Sequence, residues 1–228
     1  MMERVQKLLT NYGYCSRRDA EELIARGRVK VNGRVISLGE KASEKDTIAV
    51  DGKIVQKEKK VYLIFHKPTG CVTALRDERY KTVMDIVKIR ERVFPIGRLD
   101  GDTSGLLLLT NDGDFANRIM HPRYEIKKAY QAEIDGILNE NDIKQIERGI
   151  FIEGRKTAPA AIRKGGRIYE ITIHEGRKHI VKKIFAQQGY KVERLMRTRI
   201  GPIIIGNMKP KDVRRLTPQE VRQVVQNS

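Results

Sequence analysis

Apolar residues near the start of the chain fall at helical spacing. Val5, Leu8 and Leu9 form one short stripe, which Asn11-Tyr12-Gly13 interrupts. A second stripe, Ala20, Leu23 and Ile24, follows Ser16, an N-cap residue type. Asp19 stands where the acidic partner of a capping box belongs. Two short helices are therefore predicted within residues 3–25. The periodicity then drops to two. Val29-Lys30-Val31, the turn Asn32-Gly33 and Arg34-Val35-Ile36 read as a hairpin, because consecutive left-handed turn residues match the twist of paired strands. Ile48–Val50, Asp51-Gly52 and Lys53–Val55 repeat the pattern. The charged run Gln56–Lys60 has almost no apolar content and reads as a linker.

Beyond it, strands dominate. Val61–Phe65 is a buried-type run that leads into the loop His66-Lys67-Pro68-Thr69-Gly70, and Leu106–Thr110 is a second such run, stopped by Asn111. Asp112 is placed to cap a helix running through Met120 and ended by His121-Pro122. Alternation marks Ala129–Ile134 and Ile168–Ile173 as half-buried strands. Helices are predicted over Glu140–Arg148, His179–Gln188 and Gln219–Val225. Strands and helices do not alternate regularly, so the expected class is α+β with a mixed, mainly antiparallel sheet. The expected division is a small module over residues 1–60 and a larger domain over 61–228.

Composition narrows the class. At 228 residues with 39% hydrophobic content, the chain can build real cores. Cys15 and Cys71 are far apart and lack metal-ligand spacing, which argues against a disulfide framework or a zinc site and for a reducing compartment. The N-terminal residues are charged and carry no apolar signal core, and the longest apolar runs are too short to cross a bilayer. A cytoplasmic protein with no membrane partner is expected. The net charge is +17 and unevenly spread: residues 1–60 carry a basic surplus of 5, residues 61–160 of 1, and residues 161–228 of 11. A polyanion held by both ends of the chain, with chemistry in the neutral middle, accounts for that distribution.

The most unusual local sequence is Gly97-Arg98-Leu99-Asp100-Gly101-Asp102-Thr103-Ser104-Gly105, feeding directly into the Leu106–Thr110 run. A polar, glycine-rich loop anchored to a buried strand suits a functional site. Asp100 has the chemistry of a nucleophile or base, with Arg98 nearby to keep it ionised or to touch phosphate. A structural turn, with Asp102 or Thr103 bonded to backbone amides, is the alternative on residue types alone. His174-Glu175 with His179 is not a zinc motif, because the second histidine falls five residues on rather than four. Neither a phosphate-binding P-loop nor a nucleophile elbow is present.

GRLDGDTSGLLLLTNDG resembles the central motif of pseudouridine synthases, specifically the RsuA-type branch that modifies ribosomal RNA. KKAYQAEIDG resembles the second motif of that family, EGRKHIVKKIF the third, and VERLMRTRIGP the segment after it. The N-terminal RVQKLLTNYGYCSRRDAEELIARGRVKVNGRVI resembles an S4 RNA-binding module. The likeness extends over nearly the whole chain, with the motifs in family order. It implies isomerisation of a specific uridine in ribosomal RNA, free or in an assembly intermediate, by a monomer that needs no cofactor or metal.

The resemblance also implies roles. Asp100 matches the catalytic aspartate, which could attack C1′ of the ribose, attack C6 of the ring, or remove the 2′ proton. Tyr130 matches the tyrosine that stacks on the target base, Lys182 the basic residue that pairs with the aspartate, and Leu195 the apolar residue under the base. Arg98 matches the arginine that fills the vacated stack, and Arg177 is expected to touch phosphate or position the site. Ile180 departs from the family pattern, which has glutamine there. In the S4-like module, Arg17, Arg18, Arg26, Arg28 and Lys30 are expected to meet RNA phosphates, positioning the substrate without reading its bases. The RIGPIIIGNMKPKDVRRLTPQEV tail leans towards large-subunit RNA. A non-catalytic RNA-binding assembly factor would share the basic ends and the S4-like module, but it would have no need of Asp100, Tyr130 and Lys182 together.

Overall fold

The computed structural model describes residues 2–226 and divides by internal contacts into two units. The first comprises residues through Val61 together with Arg90–Phe94 and Thr110–Gly113. Its helices, Val5–Asn11 and Arg17–Ala25, bury Val5, Leu8, Leu9, Ala20 and Ile24 against Val29, Ile48 and Val50. The second helix starts on the expected capping box. Ser16 accepts from the Asp19 amide at 3.1 Å, and Asp19 accepts from the Ser16 amide at 3.2 Å. Four short antiparallel strands follow in the order Arg34–Val35, Val29–Val31, Ile48–Val50, Lys53–Ile54. Both predicted hairpins form, and their turn residues adopt the left-handed backbone that such tight turns need, with φ of 51° and 85° at Asn32-Gly33 and 50° and 76° at Asp51-Gly52.

The second unit is built on a nine-stranded mixed sheet, so the chain is α+β. Its main path runs Ala161–Gly165, Ile168–Ile173, Lys128–Ile134, Val192–Ile200, Thr103–Thr110, Tyr62–Lys67, Val213–Arg215. Lys128–Ile134 is antiparallel to both neighbours, whereas Val192–Ile200 runs parallel to Thr103–Thr110. The all-buried run Leu106–Leu109 and the buried residues Leu63, Ile64 and Phe65 fill the middle of the sheet. Helices Gly113–Met120, Glu140–Arg148, Ile180–Gln187 and Pro218–Gln226 match the predicted ones within a residue or two.

Val192–Ile200 is a central strand that hydrophobic alternation did not reveal. Its register against Lys128–Ile134 shifts between Ala129 and Tyr130, so Ala129 faces Arg199 while Tyr130 faces Arg197. The extra residue breaks the two-residue period, and charged side chains occupy positions that a half-buried strand usually gives to apolar ones.

The parallel pairing at the sheet centre depends on one glycine. Gly105 has φ of +110°, and a Cβ there would lie 2.2 Å from the Arg197 carbonyl oxygen and 2.5 Å from its nitrogen. The two backbones approach so closely that no side chain fits between them. Gly105→Ala is therefore expected to destabilise the protein by about 3 kcal/mol or more. Gly154→Ala, also at positive φ but with nothing within 4 Å of its Cβ, is expected to cost about 1–2 kcal/mol. Denaturant titration of both variants checks this, and equal losses would contradict the close-approach account.

Candidate active site

The motif loops converge on one cavity of about 420 Å³ within the second unit. Arg98, Asp100, Tyr130, Arg177 and Leu195 all line it, so five of the six residues expected at the site are brought together. The sheet supplies one wall. Tyr130 pairs in register with Arg197, Lys128 with Ile200 and Ala132 with Leu195. Residues two apart on a strand share a face, which sets Lys128 beside Tyr130 and Leu195 beside Arg197. The bulge at Tyr130 then lets Ile200 join the same lining.

The Asp100 loop is anchored from beneath. Lys67, fully buried at the end of Tyr62–Lys67, donates to the carbonyls of Asp100 at 2.8 Å, Thr103 at 2.9 Å and Pro68 at 3.1 Å. Its three donors each find an acceptor, which offsets the cost of burying the charge; burial still draws its pKa down. Thr73 adds a second clasp: its hydroxyl donates to the Leu99 carbonyl at 2.7 Å and accepts from the Leu99 amide at 3.1 Å. Thr103 closes the turn by donating its amide to the Asp100 carbonyl at 3.1 Å. The Asp100 side chain is left about one-third exposed, at the cavity wall.

The expected pairing of Lys182 with Asp100 is not made. Lys182 Nζ meets Asp102 Oδ1 at 2.5 Å, does not line the cavity, and holds the Asp102 carboxyl below its usual range. The group on Asp100 is His179, whose Nε2 lies 3.2 Å from Oδ1. The physical reason is local backbone: His179 takes a left-handed conformation, φ 56°, immediately before helix Ile180–Gln187. That turn presents the imidazole, not the lysine one turn later, to Asp100. Ile180, where the resembled motif has glutamine, is buried and contributes an apolar patch to the cavity.

Arg177 lines the cavity and is held in part by the protein itself, its Nη2 being buried without a hydrogen-bond partner among the described residues. Its Nε donates to Glu175 at 2.6 Å and Nη1 to the Arg155 carbonyl at 3.3 Å. In the first unit Arg17, Arg18, Arg26, Arg28 and Lys30 are all exposed, as phosphate contact requires. Arg26 meets Glu22 at 3.6 Å, and Arg28 is bound to Asp51, with Nε–Oδ1 at 2.7 Å, so RNA would have to compete for these two. Sequence reasoning missed Lys67, Lys128, His179 and Arg197. In a chain with 46 lysines and arginines, nothing local separates Lys67, Lys128 and Arg197 from solvated cations, and nothing local marks the exposed His179 as the partner of Asp100.

Residues 61–187 match the family model described as RNA pseudouridylate synthase, and residues 3–48 match the S4 domain. The chain is 46% identical to ribosomal large subunit pseudouridine synthase B of Bacillus subtilis, across 98% of this chain and 96% of that protein. It is also 46% identical to an RNA pseudouridine synthase of Aquifex aeolicus, across 98% and 94%. Among solved structures, a pseudouridylate synthase crystal structure aligns with a TM-score of 0.73 at 30% identity, covering 97% of this chain and 99% of that one.

Lys128 generates a stability prediction. Burial, with a smaller contribution from Arg197, lowers its pKa to about 8. Below that pH the folded chain holds an ammonium ion that is costly to bury. Between about 8 and the ordinary lysine value the unfolded chain binds more protons, so stability rises with pH and the penalty fades. Lys128→Met should raise the unfolding free energy at pH 7 by an amount on the order of 2–3 kcal/mol, measured by denaturant titration. That gain should shrink towards pH 10. A pH-independent gain, or a loss at pH 7, would contradict the burial account.

Proposed function

Because the chain belongs to the RNA pseudouridylate synthase family and is an RNA pseudouridine synthase, we propose that it isomerises one uridine of large-subunit ribosomal RNA, with Asp100 as the catalytic residue. The observation that carries this reading is the cavity lined together by Asp100, Tyr130 and Leu195, the residue types that family chemistry requires around one base. The substrate assignment draws on the Bacillus subtilis relative, named for the large subunit.

The reaction breaks the bond from C1′ to N1 of uracil, turns the base and joins C1′ to C5, so it needs a carboxylate beside the sugar and room for the ring to rotate. A cavity of about 420 Å³ with Asp100 on its wall meets both needs. The target uridine must first leave its stack, at a cost of a few kcal/mol. Tyr130 and Leu195 recover part of that by holding the base, and exposed Arg98 fills the space it leaves. His179 orients the Asp100 carboxylate through the 3.2 Å contact, while Lys182 acts on the loop at one remove, through Asp102. Arg177 shapes the rim.

Residues 1–60 form the docking module and residues 61–228 the catalytic domain. Arg17, Arg18 and Lys30 make the main phosphate contacts of the module, and the enzyme works as a monomer in the cytoplasm.

Asp100→Asn should abolish turnover and leave RNA affinity within about twofold, because removing one negative charge does not weaken attraction to a polyanion. The assay is tritium release from C5-labelled uridine in a large-subunit RNA fragment, with binding measured in parallel. Release by the variant near the wild-type rate would remove Asp100 from the catalytic role, and a matched loss of affinity would make it a binding residue.

A further inference from the structure

Arg197 is 3% exposed, yet one of its nitrogens, Nη2, has no hydrogen-bond partner among the described residues, a state shared on this cavity by Arg177 Nη2. The rest of the guanidinium is fixed: Nε donates to the Leu106 carbonyl at 2.8 Å and Nη1 reaches the Arg98 carbonyl at 3.5 Å. The residue lines the cavity directly across from Tyr130 in the sheet register. Lys128, two residues before Tyr130 on the same face, also lines it, and among the described residues its ammonium finds just the Ile126 carbonyl, at 3.5 Å. Two carboxylates lie on the cavity wall, and both are engaged. Asp100 meets His179, and Glu175 holds Arg177 and the Ala158 amide. A buried cation with an idle donor, beside a second cation that costs stability, is an arrangement that folding alone does not reward.

We propose that Lys128, backed by the buried guanidinium of Arg197, forms a cationic floor that binds a carbonyl oxygen of the flipped uracil and stabilises the negative charge the ring gains during the reaction. This rests on the pseudouridine synthase reading and adds to it the group that receives the leaving base. Whichever way Asp100 acts, the charge goes to the same place. If the carboxylate attacks C1′, an ester forms and uracil departs with the electron pair of the C1′–N1 bond. If it takes the 2′ proton, the C2′–H pair becomes a C1′=C2′ double bond, and uracil again departs with the C1′–N1 pair. If it adds to C6, the C5=C6 pair moves onto the O4 enolate. The pair is spread over the ring nitrogen and the carbonyl oxygens until C5 uses it to rejoin C1′. As C5 rejoins C1′, the Asp100 ester is displaced from C1′ in the first route and the 2′ proton returns from Asp100 to C2′ in the second. In the third the C1′–N1 bond breaks, C5 joins C1′, and Asp100 is finally expelled from C6 to restore the ring double bond. C5 loses its proton and N1 gains one, so the atoms balance as an isomerisation with Asp100 regenerated.

Geometry favours the base over a phosphate as the anion. Cross-strand neighbours have Cβ atoms about 5 Å apart, so a ring stacked on Tyr130 carries its oxygen-bearing rim over Lys128 and Arg197. The exposed cations Arg98 and Lys178 stand on the same cavity lining for the backbone. Preorganised donors aimed at developing charge stabilise a transition state without reorganisation.

Lys128→Met is the informative variant, since it keeps the apolar stem and removes only the charge. Its kcat on a large-subunit RNA fragment should fall on the order of 10²-fold, with KM and RNA affinity nearly unchanged, and Lys128→Arg should recover part of the loss. Substrates carrying 2-thiouridine or 4-thiouridine at the target then identify the oxygen. One of them should slow the wild type several-fold and slow Lys128→Met no further, because the contact is already gone. Full kcat in Lys128→Met, or thio effects of equal size in both enzymes, would overturn the proposal. Weaker RNA binding with a salt slope reduced by about one and unchanged kcat would overturn it in favour of a phosphate contact. A wild type that makes no pseudouridine would overturn the underlying reading as well.

Discussion

The ammonium of Lys67 makes three hydrogen bonds inside the second unit, and the geometry of the cavity follows from them. Its acceptors are the carbonyls of Pro68, Asp100 and Thr103, so one side chain ties the end of a central strand to both ends of the Asp100 turn. Burying an unpaired ammonium would cost far more than a protein of this size can spare. Burying one whose three donors are all satisfied is tolerable, and the loop cannot drift without leaving a buried cation short of partners. Thr103 begins the strand whose Gly105 admits the Arg197 backbone, so the same anchor fixes the register that sets Arg197 across from Tyr130.

Around that anchor the charges divide by environment. The cations of the first unit are exposed, and two of the five expected to touch phosphate already have acidic partners that RNA must displace. Such contacts give affinity that falls with salt and carry little sequence information. Among the cavity cations, Arg177 and Arg197 are held on named carbonyls or carboxylates, whereas Arg98 and Lys178 are exposed. Lys128 is the exception. It is half-committed, depressed in pKa and placed next to another cation, a position that lowers stability.

Much of the fold could be read from the sequence, because its punctuation is local. Ser16 with Asp19, Asn32-Gly33 and Asp51-Gly52 act through their own backbones and need no tertiary context. The site was partly legible for a different reason: the Asp100 loop and Tyr130 lie in segments that resemble a family in order and spacing. What stayed hidden depended on long-range packing. Val192–Ile200 lost its alternation to a bulge and to polar residues turned into the cavity. His179 reaches Asp100 only because its backbone is left-handed, which no side-chain pattern announces. Lys182 was expected on Asp100 from motif position, and the helix start places it on Asp102 instead.

The central claim joins a reaction, a substrate and a residue, and one measurement addresses all three. Pseudouridine is mapped along the ribosomal RNA of cells that carry the gene, lack it, or carry it with Asp100 replaced by asparagine. The account predicts that one uridine of the large-subunit RNA is converted only in the first strain. An unchanged map in the strain lacking the gene, or conversion restored by the asparagine form, would contradict it.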